Sequence, residues 1–500
     1  MLISSFCLLV VAASLSDIGA EGQSVTIDSS DPKQTITSFG ASGAWWPNDL
    51  KNFPSQIQDQ LAEFLFSEDG IHLSSYRYNV GSDGGSDSQN VTAPNKRVES
   101  FLLTNGTYDW SRDAAGVSFL QKAEAAGVPY ITFFINAAPS HIADNSAACG
   151  WDLTAAKTLD FADYISTVLS YWIDHGVDIK YISPMNEPIN NRNDCDQEGM
   201  GVFPWLREQA FSAIKAALSN SSSAGGVSII GDETSQPTTE SVEYPFWLSS
   251  STQYLSNIAV HNYDFPDDTA LTLWYTGIQA LVGGNLPPIK FTETCCATSD
   301  ASGPLIFGAQ YDPTMNGALR FARYVWQFMT IAQAESFDWW TAVSNLPCSP
   351  SVYVSCATTV NNTAGYNDGL VYVDPNYSST HDFTLYYSKR AFMMKHFAYF
   401  HRPGATRYDV PQTQLPDGVN AFATKAQEAD GTWSVLFMNS ATSAYNLTLQ
   451  APSSTATLQR AVRTTNGDDF TDVNPLPTVQ DGATMLSLPA QSFLTLQFSA

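Results

Sequence analysis

The chain has 500 residues, of which 23 are basic and 49 are acidic, giving a formal net charge of −26. This charge would repel phosphate groups, so the composition argues against nucleic acid as a partner. Hydrophobic residues make up 44% and aromatic residues 12% of the chain, which excludes a disordered protein and allows a large core. The length favours more than one domain.

The N-terminus has the pattern of a secretory signal. Leu2 to Ala13 is an apolar run followed by small residues, and we expect residues 1–20 to be removed. The run is too short to cross a bilayer, so the prediction is a secreted, extracellular protein without a membrane partner. Six Asn-x-Ser/Thr glycosylation acceptors agree with secretion, at Asn90, Asn105, Asn220, Asn361, Asn376 and Asn446.

Loss of Cys7 with the signal leaves an even number of cysteines, which suits disulfides in an oxidising compartment. Cys348 and Cys356 are the preferred pair because their bridge closes a short local loop, and the remaining pairings stay open. The chain has neither a Cys-x-x-Cys nor a His-Glu-x-x-His motif. We therefore expect no metal site and no cofactor.

Short apolar runs alternate with segments of helical period from about residue 36 to residue 398. Helical stripes run from Phe161 to Trp172 and from Leu206 to Leu218, and Leu319 to Ala334 is a third helical segment. The eight predicted strands are Thr35–Trp46, Leu73–Val80, Val128–Ile135, Val177–Pro184, Val227–Asp232, Ile258–Tyr263, Ile289–Glu293 and Ser336–Thr341. This α/β series predicts a (β/α)₈ TIM barrel over residues 36–398.

After residue 398 the period changes to that of antiparallel strands. The predicted strands are Gly418–Thr424, Thr432–Met438, Tyr445–Leu449, Gln459–Thr464 and Phe493–Phe498. Ser24 to Asp28 has a similar pattern and could join their sheet. We predict a side β-sandwich domain built from residues 21–35 and 399–500.

Two of the predicted barrel strands run into a glutamate. Glu187 follows the fourth strand and Glu293 ends the seventh. Catalytic groups of such barrels lie at the carboxyl ends of the strands, so both side chains should enter one cleft from opposite sides. Cleavage of a glycosidic bond needs two carboxyl groups, one as proton donor and one as nucleophile.

The residues beside these glutamates suggest their roles. Asn186 can hydrogen-bond a sugar hydroxyl beside the scissile carbon, which favours Glu187 as acid/base and Glu293 as nucleophile. Tyr263 ends the sixth strand, where its hydroxyl could hold Glu293 ionised, and His261 on that strand is a further candidate for substrate binding.

Further binding candidates lie on the first, second and eighth strands. Arg77 would either bind substrate or anchor the carboxylate of the nucleophile. Tryptophan pairs follow the first strand and end the eighth, and in each pair only one ring can face the cleft. Trp46 and Trp339 are the predicted sugar contacts, since indole suits the C–H face of a sugar.

Four motifs together resemble glycoside hydrolase family 30. They are Phe39-Gly-Ala-Ser-Gly-Ala-Trp-Trp46, Tyr76-Arg-Tyr-Asn-Val-Gly-Ser82, Ser183-Pro-Met-Asn-Glu-Pro188 and Phe291-Thr-Glu293. The resemblance implies a retaining enzyme with Glu187 as acid/base and Glu293 as nucleophile. The Gly-Ala-Trp-Trp run is most similar to secreted endo-β-1,6-galactanases of the family, which implies β-1,6-galactan of arabinogalactan side chains, a polysaccharide or glycoprotein glycan, as substrate.

One segment departs from that pattern, because Ala138 to Ile142 lacks the Trp of the Pro-Pro-x-Trp-Met run of many relatives. The rival hypotheses are an endo-β-1,6-glucanase or another β-glycanase of the family, such as a xylanase or a glucosylceramidase-like enzyme. A non-catalytic carbohydrate-binding or cell-wall protein is the alternative from another class. We expect a monomer.

Overall fold

The computed structural model describes residues 23–82, 90–298, 305–348, 356, 365–427, 431–453 and 455–499. The predicted signal at residues 1–20 and the acceptor Asn361 lie outside the described residues. Within the described part of the chain, no helix is both long enough and apolar enough to cross a membrane.

Eight parallel strands close into a barrel in which each strand pairs with its neighbours in sequence. Their bounds are β1 Ser38–Ser42, β2 Ser75–Val80, β3 Tyr130–Ile135, β4 Ile179–Ser183, β5 Ser228–Thr234, β6 Leu255–His261, β7 Ile289–Glu293 and β8 Ser336–Trp339. The barrel closes where Phe337 of β8 lies opposite Phe39 of β1. The predicted (β/α)₈ barrel is confirmed.

A helix follows each strand, and short segments lie between them. The barrel helices are α1 Ser55–Phe66, α2 Ala114–Ala125, α3 Thr158–Asp174, α4 Pro204–Asn220, α5 Leu248–Ser251, α6 Asp268–Val282, α7 Met315–Thr330 and α8 Lys389–Phe400, with further short helices at Pro47–Leu50 and Tyr377–Thr380. The predicted apolar stripe of α3 is buried, from Phe161 to Trp172. Such a stripe covers the outer face of the barrel.

Two further sheets enclose a second apolar core that includes Val25, Val435 and Leu496. The larger sheet has the order Pro32–Thr35, Thr406–Tyr408, Val419–Lys425, Trp433–Asn439, Ser492–Ser499, Thr457–Thr464 and Thr471–Asp472. The smaller sheet has the order Gln23–Val25, Tyr445–Gln450, Ala483–Leu488 and Thr478–Gln480. The N-terminal strand therefore joins the C-terminal strands, and the domain bounds proposed above stay a prediction.

Helix α8 connects the barrel to the larger sheet. Its His396 donates or accepts hydrogen bonds with Thr495 at 2.7 Å and Thr464 at 3.0 Å, both on that sheet. Burial lowers the pKa of His396 to about 3, so the imidazole is neutral there. Eight of the twelve residues of α8 are buried, because the helix is covered by the barrel on one side and by the larger sheet on the other.

Three disulfides occur among the described residues: Cys149–Cys195, Cys295–Cys296 and Cys348–Cys356. The last confirms the preferred pair. Disulfides persist in oxidising compartments, so this set fits an extracellular protein.

Candidate active site

A cavity of about 500 Å³ opens at the carboxyl ends of the barrel strands. Glu187, Glu293, Asn186 and Tyr263, all predicted from the sequence, line it. One carboxylate oxygen from each glutamate and a ring nitrogen of His261 lie within 4.8 Å of one another. The two strand ends thus bring both carboxyl groups into one cleft.

Both carboxylate oxygens of Glu293 are held by donors. The Tyr263 hydroxyl donates to Oε1 at 2.7 Å, and Arg77 Nη1 donates to Oε2 at 3.1 Å. Burial and the nearby carboxylates raise the pKa of Tyr263 well above its usual value, so its hydroxyl stays a donor. The fully buried Arg77 does not line the cavity and instead anchors Glu293, one of its two predicted roles.

Glu187 is held from two sides. Arg192 Nη2 donates to its Oε2 at 2.8 Å, and His261 Nδ1 lies 3.3 Å from its Oε1. Burial raises the pKa of Glu187, but the hydrogen bond and charge of His261 together with Arg192 outweigh burial and lower it. The residue also adopts a left-handed backbone with φ of 47°. Such strain is common where a fold fixes a functional side chain.

A third glutamate, which was not identified from the sequence, is fully buried and contacts Arg77 and His261. Glu233 lies near the end of β5, one residue beyond the predicted strand end at Asp232. It accepts hydrogen bonds from Arg77 Nη2 at 3.3 Å, from His261 Nε2 at 2.9 Å and from Ser183 Oγ at 2.6 Å. Burial raises the pKa of Glu233, but Arg77 and His261 lower it to about 2. In the sequence, the position of Glu233 just after an apolar run was the signal that could have identified it.

His261 is fully buried and does not line the cavity, so its predicted contact with substrate is not supported. Its two ring nitrogens face Glu187 and Glu233. Burial lowers the pKa of His261, but the charge of Glu293 and the hydrogen bonds to the other two glutamates raise it to about 10. Both ring nitrogens of His261 are thus engaged with carboxylates, within a group of Glu187, His261 and Glu293 that is close enough to hold a metal ion.

Neither of the two tryptophans predicted as sugar contacts lines the cavity. Trp46 is 5% exposed, packs on Phe119 and donates to the Ser42 carbonyl at 3.1 Å. Trp339 is fully buried and packs against Phe321. Trp45 and Trp340 line the cleft instead, with ring centroids 4.9 Å apart. The left-handed backbone at Trp45, with φ of 69°, interrupts the alternation on which the choice rested.

Comparison with known proteins agrees with this geometry. The model of O-Glycosyl hydrolase family 30 matches residues 22–260, a region that includes Glu187 and Glu233. The chain is 23% identical over 407 residues to "Putative glucosylceramidase 2" of Caenorhabditis elegans, covering 77% of this chain and 70% of that protein.

Two solved structures share the fold at low identity. One is a conserved exported protein of Bacteroides fragilis, with a TM-score of 0.78, 20% identity and coverage of 95% of this chain and 100% of that chain. The other is an endo-β-1,6-glucanase, with a TM-score of 0.67, 14% identity and coverage of 96% of each chain. Over the matched residues 22–260 the chain is similar to glycoside hydrolase family 30, and the paired glutamates at the strand ends agree with that similarity.

Proposed function

We propose that the protein is a secreted, retaining endo-glycosidase that hydrolyses β-1,6-galactan of arabinogalactan side chains by double displacement. The observation that carries this proposal is the proximity of Glu187 and Glu293, whose nearest oxygens lie within 4.8 Å. Retaining glycosidases hold their carboxyl groups about 5 to 5.5 Å apart, whereas inverting enzymes need about 6.5 to 9.5 Å to admit a water molecule.

In the first step Glu293 attacks the anomeric carbon while Glu187 gives its proton to the glycosidic oxygen. Arg77 and Tyr263 each donate a hydrogen bond to the Glu293 carboxylate and so orient it for attack. Glu187 must carry a proton for this step, although His261 and Arg192 lower its pKa in the free protein. Substrate would exclude water from Glu187 and so favour its neutral form.

In the second step Glu187 takes a proton from a water molecule as that water attacks the anomeric carbon, and the bond between the sugar and Glu293 breaks. The sugar leaves with its original anomeric configuration, and both carboxyl groups return to their starting states. The same residue thus serves as acid and then as base, which requires a carboxyl group reached by both the leaving oxygen and the water.

The assignment of galactose as the sugar is based on the family resemblance and on the chemistry of the cleft. Trp45 and Trp340 supply flat apolar faces, and Asn186 supplies an amide for a hydroxyl. An endo-β-1,6-glucanase is the main rival, because a solved enzyme of that name shares the fold. A glucosylceramidase-like activity is a further rival on the basis of the nematode relative. Secretion is supported by the disulfides, and a monomeric state remains our expectation.

A reducing-sugar assay on β-1,6-galactan, with β-1,6-glucan, xylan and glucosylceramide in parallel, tests the proposal. We expect galactan to be cut into short oligosaccharides whose new ends, read by NMR at early times, keep the β configuration. Cleavage of another substrate alone would replace the sugar assignment and leave the chemistry intact. Sugar binding without cleavage of any substrate would favour the non-catalytic binding protein.

The adjacent tryptophans of the first strand provide a matched pair of variants. Trp45→Ala is expected to raise KM for the cleaved polymer about tenfold, or about 1.4 kcal/mol, with little change in Tm, because its ring lines the cleft. Trp46→Ala is expected to lower the free energy of unfolding by about 3 to 5 kcal/mol with KM nearly unchanged, because its ring is in the core. If Trp45→Ala lowered stability in thermal melts and Trp46→Ala raised KM, this placement of the two rings would be contradicted.

A further inference from the structure

The cleft contains a disulfide between two residues adjacent in sequence. Cys295 and Cys296 follow Glu293 almost directly, are bridged to each other, and both line the cavity. A disulfide stabilises a fold mainly by closing a loop of the unfolded chain, and the gain grows with loop length. A bridge between neighbours closes hardly any loop, so global stability does not account for it.

The contacts of this pair place it beside the nucleophile. The Tyr263 hydroxyl that donates to Glu293 lies 3.9 Å from Cys295 Sγ. Cys296 has a left-handed backbone with φ of 63°, and its carbonyl accepts a hydrogen bond from the Gly308 amide at 3.0 Å. That turn brings Phe307 into the cleft wall, with its ring 5.5 Å from that of Tyr263.

The opposite wall has a different chemistry. Asn136 follows β3, which lies across the barrel from β7, and Asn186, Asn190 and Gln236 follow the next two strands. These side-chain amides can donate and accept hydrogen bonds with hydroxyls, whereas a disulfide has no donor and its sulfurs are weak acceptors. A sugar ring between the walls would turn its hydroxyls toward the amides and its C–H groups toward the sulfurs.

We propose that the Cys295–Cys296 disulfide is a specificity-determining contact of the cleft, whose sulfurs pack against the C–H face of the sugar held beside Glu293. This inference rests on the proposed function and deepens it. Sulfur is polarisable and packs well against apolar groups, and a ring fixed in the backbone has no rotamer freedom to lose on binding. Sugars that differ in the orientation of one hydroxyl would then be distinguished by whether an oxygen or a hydrogen meets the sulfurs.

The test compares wild type with C295A/C296A and, as a matched control, with C348A/C356A, whose disulfide does not line the cleft. The substrates are β-1,6-linked galactose and glucose oligosaccharides of equal length. For C295A/C296A we expect KM for the galactose substrate to rise about tenfold with kcat within about threefold, and the galactose to glucose ratio of kcat/KM to fall at least about fivefold. The control should change neither value by more than about twofold.

A folded C295A/C296A variant with unchanged KM and unchanged sugar ratio would overturn the proposal and leave the disulfide a purely local brace. If the double variant does not fold, wild type is treated with a phosphine until mass spectrometry shows the cleft pair reduced. A rise in KM that reverses on reoxidation is then expected, and an unchanged KM counts against the proposal.

If the proposed function is wrong, the activity of wild type shows it before the variants are compared. If wild type cuts another β-glycan, the same comparison is made on oligosaccharides of that sugar. If wild type cuts nothing, calorimetry measures the Kd of the galactose oligosaccharide for wild type and C295A/C296A. Weaker binding by the variant supports the contact, whereas equal Kd values, or binding by neither protein, overturn it.

Discussion

Glu293→Gln is expected to lower kcat on the polymer by about 10⁴- to 10⁶-fold, because an amide cannot form the glycosyl ester. Among the described residues, no other carboxylate accepts hydrogen bonds from both Arg77 and Tyr263, so none can replace Glu293. KM and the far-UV circular dichroism spectrum should change little, since Gln has nearly the same shape. Glu208→Gln on the surface of α4 is the matched control and should keep full activity.

Substrates with different leaving groups separate the roles of the two glutamates. Glu187→Gln should lose most of its activity on the polymer but keep much more on a dinitrophenyl glycoside, whose leaving group needs no proton. Glu293→Gln should be inactive on both, because both need the nucleophile. If instead Glu293→Gln is the variant that the activated leaving group rescues, the roles are exchanged, and equal rescue of both variants would contradict a covalent intermediate.

The barrel could be predicted because its strands bury both faces. The run of β3 is apolar except for Thr132, whereas the strands of the side sheets alternate between buried and exposed residues. The period of the sequence therefore separated the two parts of the chain. The same logic placed Glu187 and Glu293, because strand ends meet at one edge of the barrel. Family resemblance supplied their separate roles.

Features that depend on local backbone conformation or on distant partners could not be predicted in this way. The choice between Trp45 and Trp46 turned on one left-handed residue, which a count of alternating positions does not reveal. Glu233 became visible as part of the site only when Arg77 and His261, far away in sequence, were found against it. Arg192 lies in a loop without periodicity, so its ion pair with Glu187 had no signal in the sequence.

The second large effect concerns the buried charges below the cleft and their dependence on pH. His261→Gln is expected to lower the free energy of unfolding by a few kcal/mol at pH 6, because the protonated imidazole offsets the charges of three glutamates. In wild type the pKa of His261 is raised from 6.5 to about 10, so this stability is complete below pH 6.5 and is lost as the pH rises through 10. The difference between wild type and variant should therefore shrink from pH 6 to pH 10.

Urea unfolding at several pH values measures this difference, with His175→Gln as a control on the protein surface. A difference that stays constant over the window would mean that His261 is neutral in the folded protein. At low pH the stability of the fold depends on Glu233, whose pKa is lowered from 4.5 to about 2. Its contribution to the free energy of unfolding is complete above pH 4.5 and is lost as the pH falls through 2. Both contributions are complete only between pH 4.5 and pH 6.5. In that window the cluster keeps Glu233 ionised and keeps a proton on His261, whose Nδ1 lies 3.3 Å from Glu187.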